Sequence, residues 1–142
     1  GMVATVLYRM AGAPNVTYQS VFSDVPGTAY YAQAVTWAYQ NKIISGYGNG
    51  KFGPDDNVTR EEMAVMLCNY ARFRGMQVNS NQGLETFVDY KNTTAYAVPS
   101  MKWVVEKGIL SGTDDGRLNP TYDASRAECA KMLLQFYKLT QQ

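Results

Sequence analysis

Histidine is absent from this sequence of 142 residues, and cysteine occurs only twice. The absence of histidine excludes a histidine-based catalytic triad, a histidine-ligated metal ion and a histidine general base. We interpret Cys68 and Cys129 as small buried hydrophobic residues, and a disulfide bond between them is the alternative. No apolar run is long enough to span a bilayer, so we expect no membrane insertion.

An excess of charge of either sign is also missing, because 13 basic and 12 acidic residues give a formal net charge of +1. This mixed pattern does not favour nucleic acid or an anionic membrane surface as the main partner. The length suits one domain with its own core. The chain begins inside an apolar helical pattern without a visible signal peptide, so we expect a fragment of a longer protein.

Two short stretches open helices and organise the chain. Thr59 is followed three residues later by Glu62, and Ser125 is followed in the same way by Glu128. This spacing is typical of a capping box, in which the hydroxyl accepts from an N–H of the first turn and the glutamate accepts from the N–H of the cap residue. An apolar stripe at intervals of three and four follows each box, which predicts a helix after each one.

An arginine stands directly after each cap, at Arg60 and Arg126. A cation in the first turn faces the positive end of the helix dipole, which is mildly unfavourable. Neither the cap nor the core explains these arginines, so we interpret them as ligands for an anion. The alternative is a surface ion pair with a nearby acid, such as Glu61 or Asp56.

Four elements recur in the same order: an opening Phe-x-Asp, a helix tryptophan, a glycine-rich loop and a capped helix start. Their positions are Asp24 and Asp89, Trp37 and Trp103, Gly46 and Gly112, and Thr59 and Ser125. From the tryptophan onward the shift between the two copies is 66 residues. Such a period indicates a repeat architecture, in which each helix–loop–helix unit buries its apolar face against its neighbours.

The repeats predict an all-α fold of five segments. Residues 1–14 are the C-terminal helix of a truncated motif, residues 22–74 and 87–142 are two full motifs, and residues 15–21 and 75–86 are linkers. In the first full motif we expect a helix over residues 28–41, and near the N-terminus a helix from Met2 to Met10.

The order Phe-x-Asp, Trp, Gly-Ile-x-x-Gly, Asp/Asn-Gly-x-Phe-x-Pro and Thr-Arg-x-Glu resembles the S-layer homology (SLH) family. The resemblance covers residues 22–71 and 87–137, with the tail helix of a preceding motif at 2–12. It implies a cell-surface anchoring module in which three motifs form a pseudo-threefold helical bundle. It also implies that grooves between motifs bind secondary cell-wall polysaccharide, often through the carboxylate of a pyruvate ketal. Because the first motif lacks its front half, we expect an incomplete bundle.

The resemblance assigns ligand binding to matching residues of both repeats. These are Asp24, Trp37, Gly46 and Arg60, and Asp89, Trp103, Gly112 and Arg126, while Thr59, Glu62, Ser125 and Glu128 are structural caps. Free backbone N–H groups at the helix start would help each arginine to hold a sugar-borne carboxylate. The alternatives are a core role for the tryptophans, a capping role for the aspartates and a backbone role for the glycines. We interpret the eleven tyrosines as half-buried packing rather than as a sugar-stacking surface.

Metal ions, cofactors and catalysis are not expected. The acidic stretches at 55–57 and 114–116 lack the spacing of an EF-hand. A glycosidase that pairs Asp24 with Glu62 is disfavoured, because these carboxylates have loop or capping roles. We expect a secreted, non-catalytic module that anchors a surface protein to cell-wall polysaccharide in a bacterial S-layer. The alternative is a structural or protein–protein assembly module, with self-association as a homo-oligomer through the truncated first motif.

Overall fold

The structure is a computed structural model that describes residues 2–20, 22–44 and 58–141. Its helices are α1 (Met2–Met10), α2 (Ala32–Gln40), α3 (Arg60–Phe73), α4 (Val98–Glu106) and α5 (Arg126–Thr140), with 3-10 turns at Tyr90–Asn92 and Ala95–Ala97. The described ranges contain no strand, and an isolated antiparallel bridge joins Thr59 to Asp123. The all-α prediction is therefore confirmed.

The chain divides into two compact units, Gly1–Asp56 and Asn57–Gln142. The first unit contains α1 and α2, and the second contains α3, α4 and α5. The first unit thus combines the last helix of one sequence repeat with the front part of the next, and the second unit combines the last helix of the first full motif with the whole of the second. This offset follows from the physics of the repeat, since one helix–loop–helix segment needs a neighbour to cover its apolar face.

The first unit is built on the packing of α1 against α2. Helix α1 buries Val3, Ala4 and Leu7, and α2 buries Val35 and Trp37. The ring of Tyr8 meets Trp37 edge-on, with 5.6 Å between the ring centroids. Burial of these apolar groups is the main driving force for the packing of this short helix pair.

Helix α2 begins at Ala32 and not at residue 28, so the predicted start was wrong by one turn. The preceding residues form two successive turns, in which the N–H of Ala29 donates to Pro26 and the N–H of Ala32 donates to Ala29, both at 3.1 Å. The Tyr18 ring packs closely against Gly27, 3.3 Å from the position that a Cβ would take. The Pro-Gly turn is thus held in place by the linker.

The second unit has its core where α5 meets α3 and α4. Helices α3 and α4 pack against each other. Phe136 of α5 lies between them, with its ring centroid 5.6 Å from Tyr70 and 6.3 Å from Trp103. All three rings are fully buried. These edge-on aromatic contacts tie the three helices into one core.

Helices α2 and α4 end with the same backbone geometry but with different residues. After α4, Gly108 has a φ of +71°, and the N–H of Ile109 donates to Val104 at 2.9 Å. After α2, Lys42 occupies the equivalent position with a φ of +62°, and the N–H of Ile43 donates to Ala38 at 2.8 Å. A residue with a Cβ is strained in this left-handed conformation, whereas glycine is not.

We predict that Lys42→Gly stabilises the protein. Relief of the left-handed strain should exceed the added freedom of glycine in the unfolded chain, for a net gain of about 0.5–1 kcal/mol. Thermal unfolding followed by circular dichroism measures the effect. Lys107→Gly is the matched control, because Lys107 has a φ of −84° and its replacement should not stabilise. An unchanged or lower melting temperature for Lys42→Gly would contradict the prediction.

Candidate ligand-binding site

Both capping boxes are formed. At the start of α3, the Thr59 hydroxyl accepts from the N–H of Glu62 at 3.2 Å, and the Glu62 carboxylate accepts from the N–H of Thr59 at 2.9 Å. At the start of α5, Ser125 and Glu128 make the same reciprocal bonds, each at 3.1 Å. The two caps fix the direction of the first helical turn, and with it the position of the arginine that follows each cap.

The start of α3 is enclosed by a segment of the second motif, residues 120–124. The N–H of Arg60 donates to the carbonyl of Tyr122 at 3.1 Å, and the N–H of Glu61 donates to Pro120 at 2.9 Å. In the reverse direction, the N–H of Ala124 donates to Val58 at 2.8 Å. The first-turn N–H groups that we expected to be free for an anion are therefore occupied here. That part of the prediction was wrong for α3, because the next motif satisfies the helix start.

The guanidinium of Arg60 pairs with the carboxylate of Glu128, through Nη2 and Oε2. The Arg60 side chain is 13% exposed and that of Glu128 is 37% exposed. The pair thus joins the start of α3 to the start of α5, across two sequence motifs. This contact is the ion pair that we gave as the alternative, although its acid lies 68 residues away in the sequence and not nearby. Binding of a ligand anion by Arg60 stays a prediction.

The two carboxylate oxygens of Glu128 have different partners. Oε1 accepts from the N–H of Ser125 in the capping box, and Oε2 holds Arg60. We had considered Glu61 and Asp56 as partners for Arg60. Glu61 is buried and accepts from the N–H of Thr94 at 2.8 Å and from its hydroxyl at 2.6 Å, and Asp56 lies outside the described residues.

Arg126 begins α5 in the position that Arg60 has in α3. Its backbone is helical, and its side chain lies outside what the structure describes. The next residue, Ala127, is exposed, whereas its equivalent Glu61 is buried. The two arginines therefore occupy equivalent positions in the repeat, but the residues beside them differ in exposure.

Asp89 is buried and holds the glycine-rich loop of its own motif. Its Oδ1 accepts from the N–H of Leu118 and its Oδ2 accepts from the N–H of Asn119, both at 2.8 Å. Asp24, its counterpart in the first repeat, is half-buried, and the equivalent loop at 52–53 lies outside the described residues. The bonds of Asp89 resemble the alternative capping role, although the capped segment is a later loop and not the following helix.

We predict that Asp89→Ala lowers the free energy of unfolding by about 2–4 kcal/mol, because two N–H groups lose a charged acceptor in a buried place. Asp89→Asn should have a smaller effect, since one oxygen remains. Urea denaturation measures both. Asp114→Ala in the same loop is the control, because Asp114 is exposed. Equal stabilities of Asp89→Ala and Asp114→Ala would show that the two bonds are unimportant.

The tryptophans of both repeats lie in the cores of their units. Trp103 is fully buried and Trp37 is nearly so. The Nε1–H of Trp103 has no hydrogen-bond partner within the part of the chain that is described. Direct stacking of either indole on a sugar stays a prediction, and burial favours the core role that we gave as the alternative.

Gly112 lies where an aromatic ring approaches the backbone. A Cβ at this position would lie 2.5 Å from Cε1 of Phe87 and 3.3 Å from the carbonyl oxygen of Arg117. The absence of a side chain therefore lets the opening Phe-x-Asp segment pack on the loop. Gly46, its counterpart in the first repeat, lies outside the described residues.

We predict that Gly112→Ala destabilises the protein by about 1–3 kcal/mol through this overpacking. Gly83→Ala is a matched control, because a Cβ there would meet only the flexible carboxylate of Glu85. The two variants are compared by thermal unfolding. A loss of stability in Gly83→Ala as large as that in Gly112→Ala would contradict the steric explanation.

Two exposed tyrosines near the start of α3 were missed by the sequence reasoning. Tyr96 is 60% exposed and Tyr122 is 63% exposed, so half-buried packing was the wrong interpretation for both. Partial desolvation raises the pKa of the Tyr96 hydroxyl, and the carboxylates of Glu61 and Glu62 raise it further. A signal was present in the sequence, because Tyr30, which is 75% exposed, precedes Tyr96 by 66 residues, the shift that separates the two tryptophans.

The remaining polar and thiol groups have local roles. Asp115 pairs with the Thr113 hydroxyl and with Arg117, and the hydrogen bond from Thr113 is the main cause that lowers its pKa. Both cysteines are free and buried, and burial raises the pKa of the Cys129 thiol. Among the described residues, no group of His, Cys, Asp and Glu side chains could hold a metal ion. No described helix has the length and apolar character needed to cross a membrane.

Comparison with protein families finds the S-layer homology domain twice, at residues 21–64 and 86–130. A cellulosome-anchoring protein of Acetivibrio thermocellus is 34% identical over 66% of this chain, and an uncharacterised cell wall amidase of Bacillus anthracis is 32% identical over 89%. An amylopullulanase of Thermoanaerobacterium thermosulfurigenes is 30% identical over 90% of the chain.

The chain spans only a small part of each of these relatives. The matched segments make up 21% of the anchoring protein, 22% of the amidase and 7% of the amylopullulanase. The feature common to these proteins of different names is thus a short segment that resembles this chain.

Proposed function

The chain belongs to the S-layer homology domain family, and we propose that it is a non-catalytic module that attaches a larger surface protein to secondary cell-wall polysaccharide. The predicted localisation at the bacterial cell surface agrees with the family and with relatives named as cell-surface and cell-wall proteins. An anchoring role is supported by the relative that is named as a cellulosome-anchoring protein.

A non-catalytic role is supported by the uses of the carboxylates in the described structure. Asp89 and Glu61 are buried acceptors for backbone N–H groups, and Glu62 and Glu128 complete capping boxes. A glycosidase needs two carboxyl groups that face a shared substrate, and these carboxylates are already engaged by the fold. The enzymatic names of some relatives belong to proteins of which this chain covers 7–22%.

We propose that the ligand is an anionic sugar, such as a pyruvate ketal, recognised by Arg60 and Arg126. The observation that carries this proposal is that Arg60 already holds a carboxylate at the capped start of α3. An arginine placed to hold one carboxylate is chemically suited to a carboxylate on a sugar. Arg126 has the same place in the repeat, and its neighbour Ala127 is exposed.

The other residues of the predicted set would shape this site. In the second repeat, Asp89 accepts hydrogen bonds from the glycine-rich loop, and Gly112 lets Phe87 pack on it. Trp103 anchors α4 in the core. We propose equivalent roles for Asp24, Gly46 and Trp37 in the first repeat. Tyr96 and Tyr122 present exposed rings on segments that contact the first turn of α3, and aromatic rings are suited to apolar sugar faces.

A second candidate function is protein–protein assembly within a surface layer. The observation that favours it is an exposed apolar pair, Leu134 and Tyr137, one helical turn apart on α5. The surface area of two side chains is small compared with the area that a stable protein–protein interface buries. Sedimentation equilibrium distinguishes the two functions, because an assembly module self-associates in the absence of polysaccharide and an anchoring module does not require this.

The test of the anchoring proposal is binding to purified cell-wall sacculi that carry pyruvylated secondary polysaccharide. We predict that Arg60→Met and Arg126→Met each weaken binding about tenfold, because each removes a charge-assisted hydrogen bond to the ligand. The double variant should lose binding altogether. Extraction of the polysaccharide, or mild acid removal of the ketal, should abolish binding of the wild-type chain.

The control is Arg9→Met, which removes an exposed arginine from the last turn of α1 and keeps the same net charge as either single variant. Circular dichroism shows whether each variant is folded. A folded double variant that binds sacculi like the wild type would refute recognition by these arginines. Retained binding to sacculi without the polysaccharide would refute the anchoring ligand.

A further inference from the structure

The pair formed by Arg60 and Glu128 poses a problem for ligand binding, and this inference rests on the proposed function. Any carboxylate that approaches Arg60 meets a guanidinium that already has a carboxylate partner. The backbone donors next to it are also occupied, by Tyr122 and Pro120. A ligand therefore cannot simply add to the start of α3, and has to replace an existing partner of Arg60.

Glu128 is the partner that can leave at the lowest cost. Its Oε1 remains bonded to the N–H of Ser125 when Oε2 moves away from Arg60, so the cap of α5 is preserved. Glu128 is also the more exposed member of the pair, at 37% against 13%. Water can therefore solvate the released oxygen, whereas the Arg60 guanidinium needs a new anionic partner.

The carbonyls of Tyr122 and Pro120 are in a different position. They bind backbone N–H groups of the first turn and form part of the segment that encloses α3. Displacing them would open the bridge between Thr59 and Asp123. Within the described contacts of Arg60, the side-chain pair is thus the exchangeable contact and the backbone contacts are the fixed frame.

We infer that Glu128 is an internal competitor for Arg60 that restricts this site to anionic glycans. A neutral sugar offers no charge to replace Glu128 and leaves the ion pair closed. A carboxylate on a sugar can replace the Glu128 carboxylate, because it carries the same charge and accepts the same hydrogen bond. Discrimination against neutral glycans then comes from a contact that opposes them, at the expense of some affinity for the correct ligand.

Glu128→Gln tests this inference, because glutamine keeps the capping box but does not pair with an arginine through charge. A half-exposed ion pair corresponds to a change of about two- to fivefold in an equilibrium constant. We predict that Glu128→Gln tightens binding of soluble pyruvylated polysaccharide by that factor in isothermal titration calorimetry. We also predict a gain in affinity by the same factor for the polysaccharide without its ketal, because the variant has no ion pair that a neutral sugar would have to open.

Two further variants separate competition from a general effect of charge. Glu106→Gln removes an exposed carboxylate that pairs with Lys107 on α4 and should leave affinity unchanged. In an Arg60→Met background, Glu128→Gln should have no effect, since no competition remains. The side-chain Nε–H signal of Arg60 in a ¹H–¹⁵N spectrum should shift when the wild type binds the polysaccharide.

The outcomes distinguish this inference from the proposed function. If the wild type binds the pyruvylated polysaccharide and Glu128→Gln binds it equally or more weakly, the competitor role is overturned and the anchoring function remains intact. Tightening of equal size in the Arg60→Met background also overturns it, because the effect would then be general repulsion. A wild-type chain that does not bind the pyruvylated polysaccharide at all overturns the proposed function, and the competitor role with it.

Discussion

The start of α3 needs partners for its first-turn N–H groups, and most of the second unit depends on how it obtains them. Thr59 provides one acceptor from within the motif, while Pro120 and Tyr122 provide two from the following motif. Glu128 then joins the Arg60 side chain to the start of α5. Because unpaired backbone donors are costly when buried, a single motif leaves this helix start unfinished. The repeat is therefore a unit of sequence, whereas the unit of stability includes parts of two repeats.

The same constraint shapes the chemistry of the candidate site. A helix start that is already enclosed has no spare backbone donors, so recognition of an anion falls to side chains. Arg60 is held by the frame at its backbone and by Glu128 at its guanidinium. The backbone contacts fix the position of the arginine, and the glutamate is the partner that we propose a ligand replaces. In the exchange that we propose, such a site would combine pre-organisation with selectivity, because a ligand would have to match the group that it replaces.

Several sequence predictions concerned residue types whose role depends on surroundings. Asp89 has the chemistry of a sugar ligand and of a loop cap, and its two bonds to Leu118 and Asn119 show which backbone groups occupy it. Trp103 has a flat ring that suits a sugar, but the ring is enclosed by Phe136 and its neighbours. Tyr96 differs from both, because its ring is exposed to a ligand. The sequence showed that its position is repeated, but it did not show that the ring is exposed. Composition and spacing name the chemistry of a side chain, and burial decides whether a ligand can reach it.

The sequence was sufficient for features that depend on short range: the capping boxes at Thr59 and Ser125, the helix Met2–Met10, the all-α class and the repeat of 66 residues. These follow from hydrogen bonds within one turn and from the 3.6-residue period, both of which are encoded in neighbouring residues. The partner of Arg60 could not be read in this way. Glu128 lies 68 residues away and already had a full local role as a capping residue, so no spacing rule assigns it a second bond. That bond exists because packing around Phe136 brings α5 to α3, and contacts of this range are determined only when the core forms.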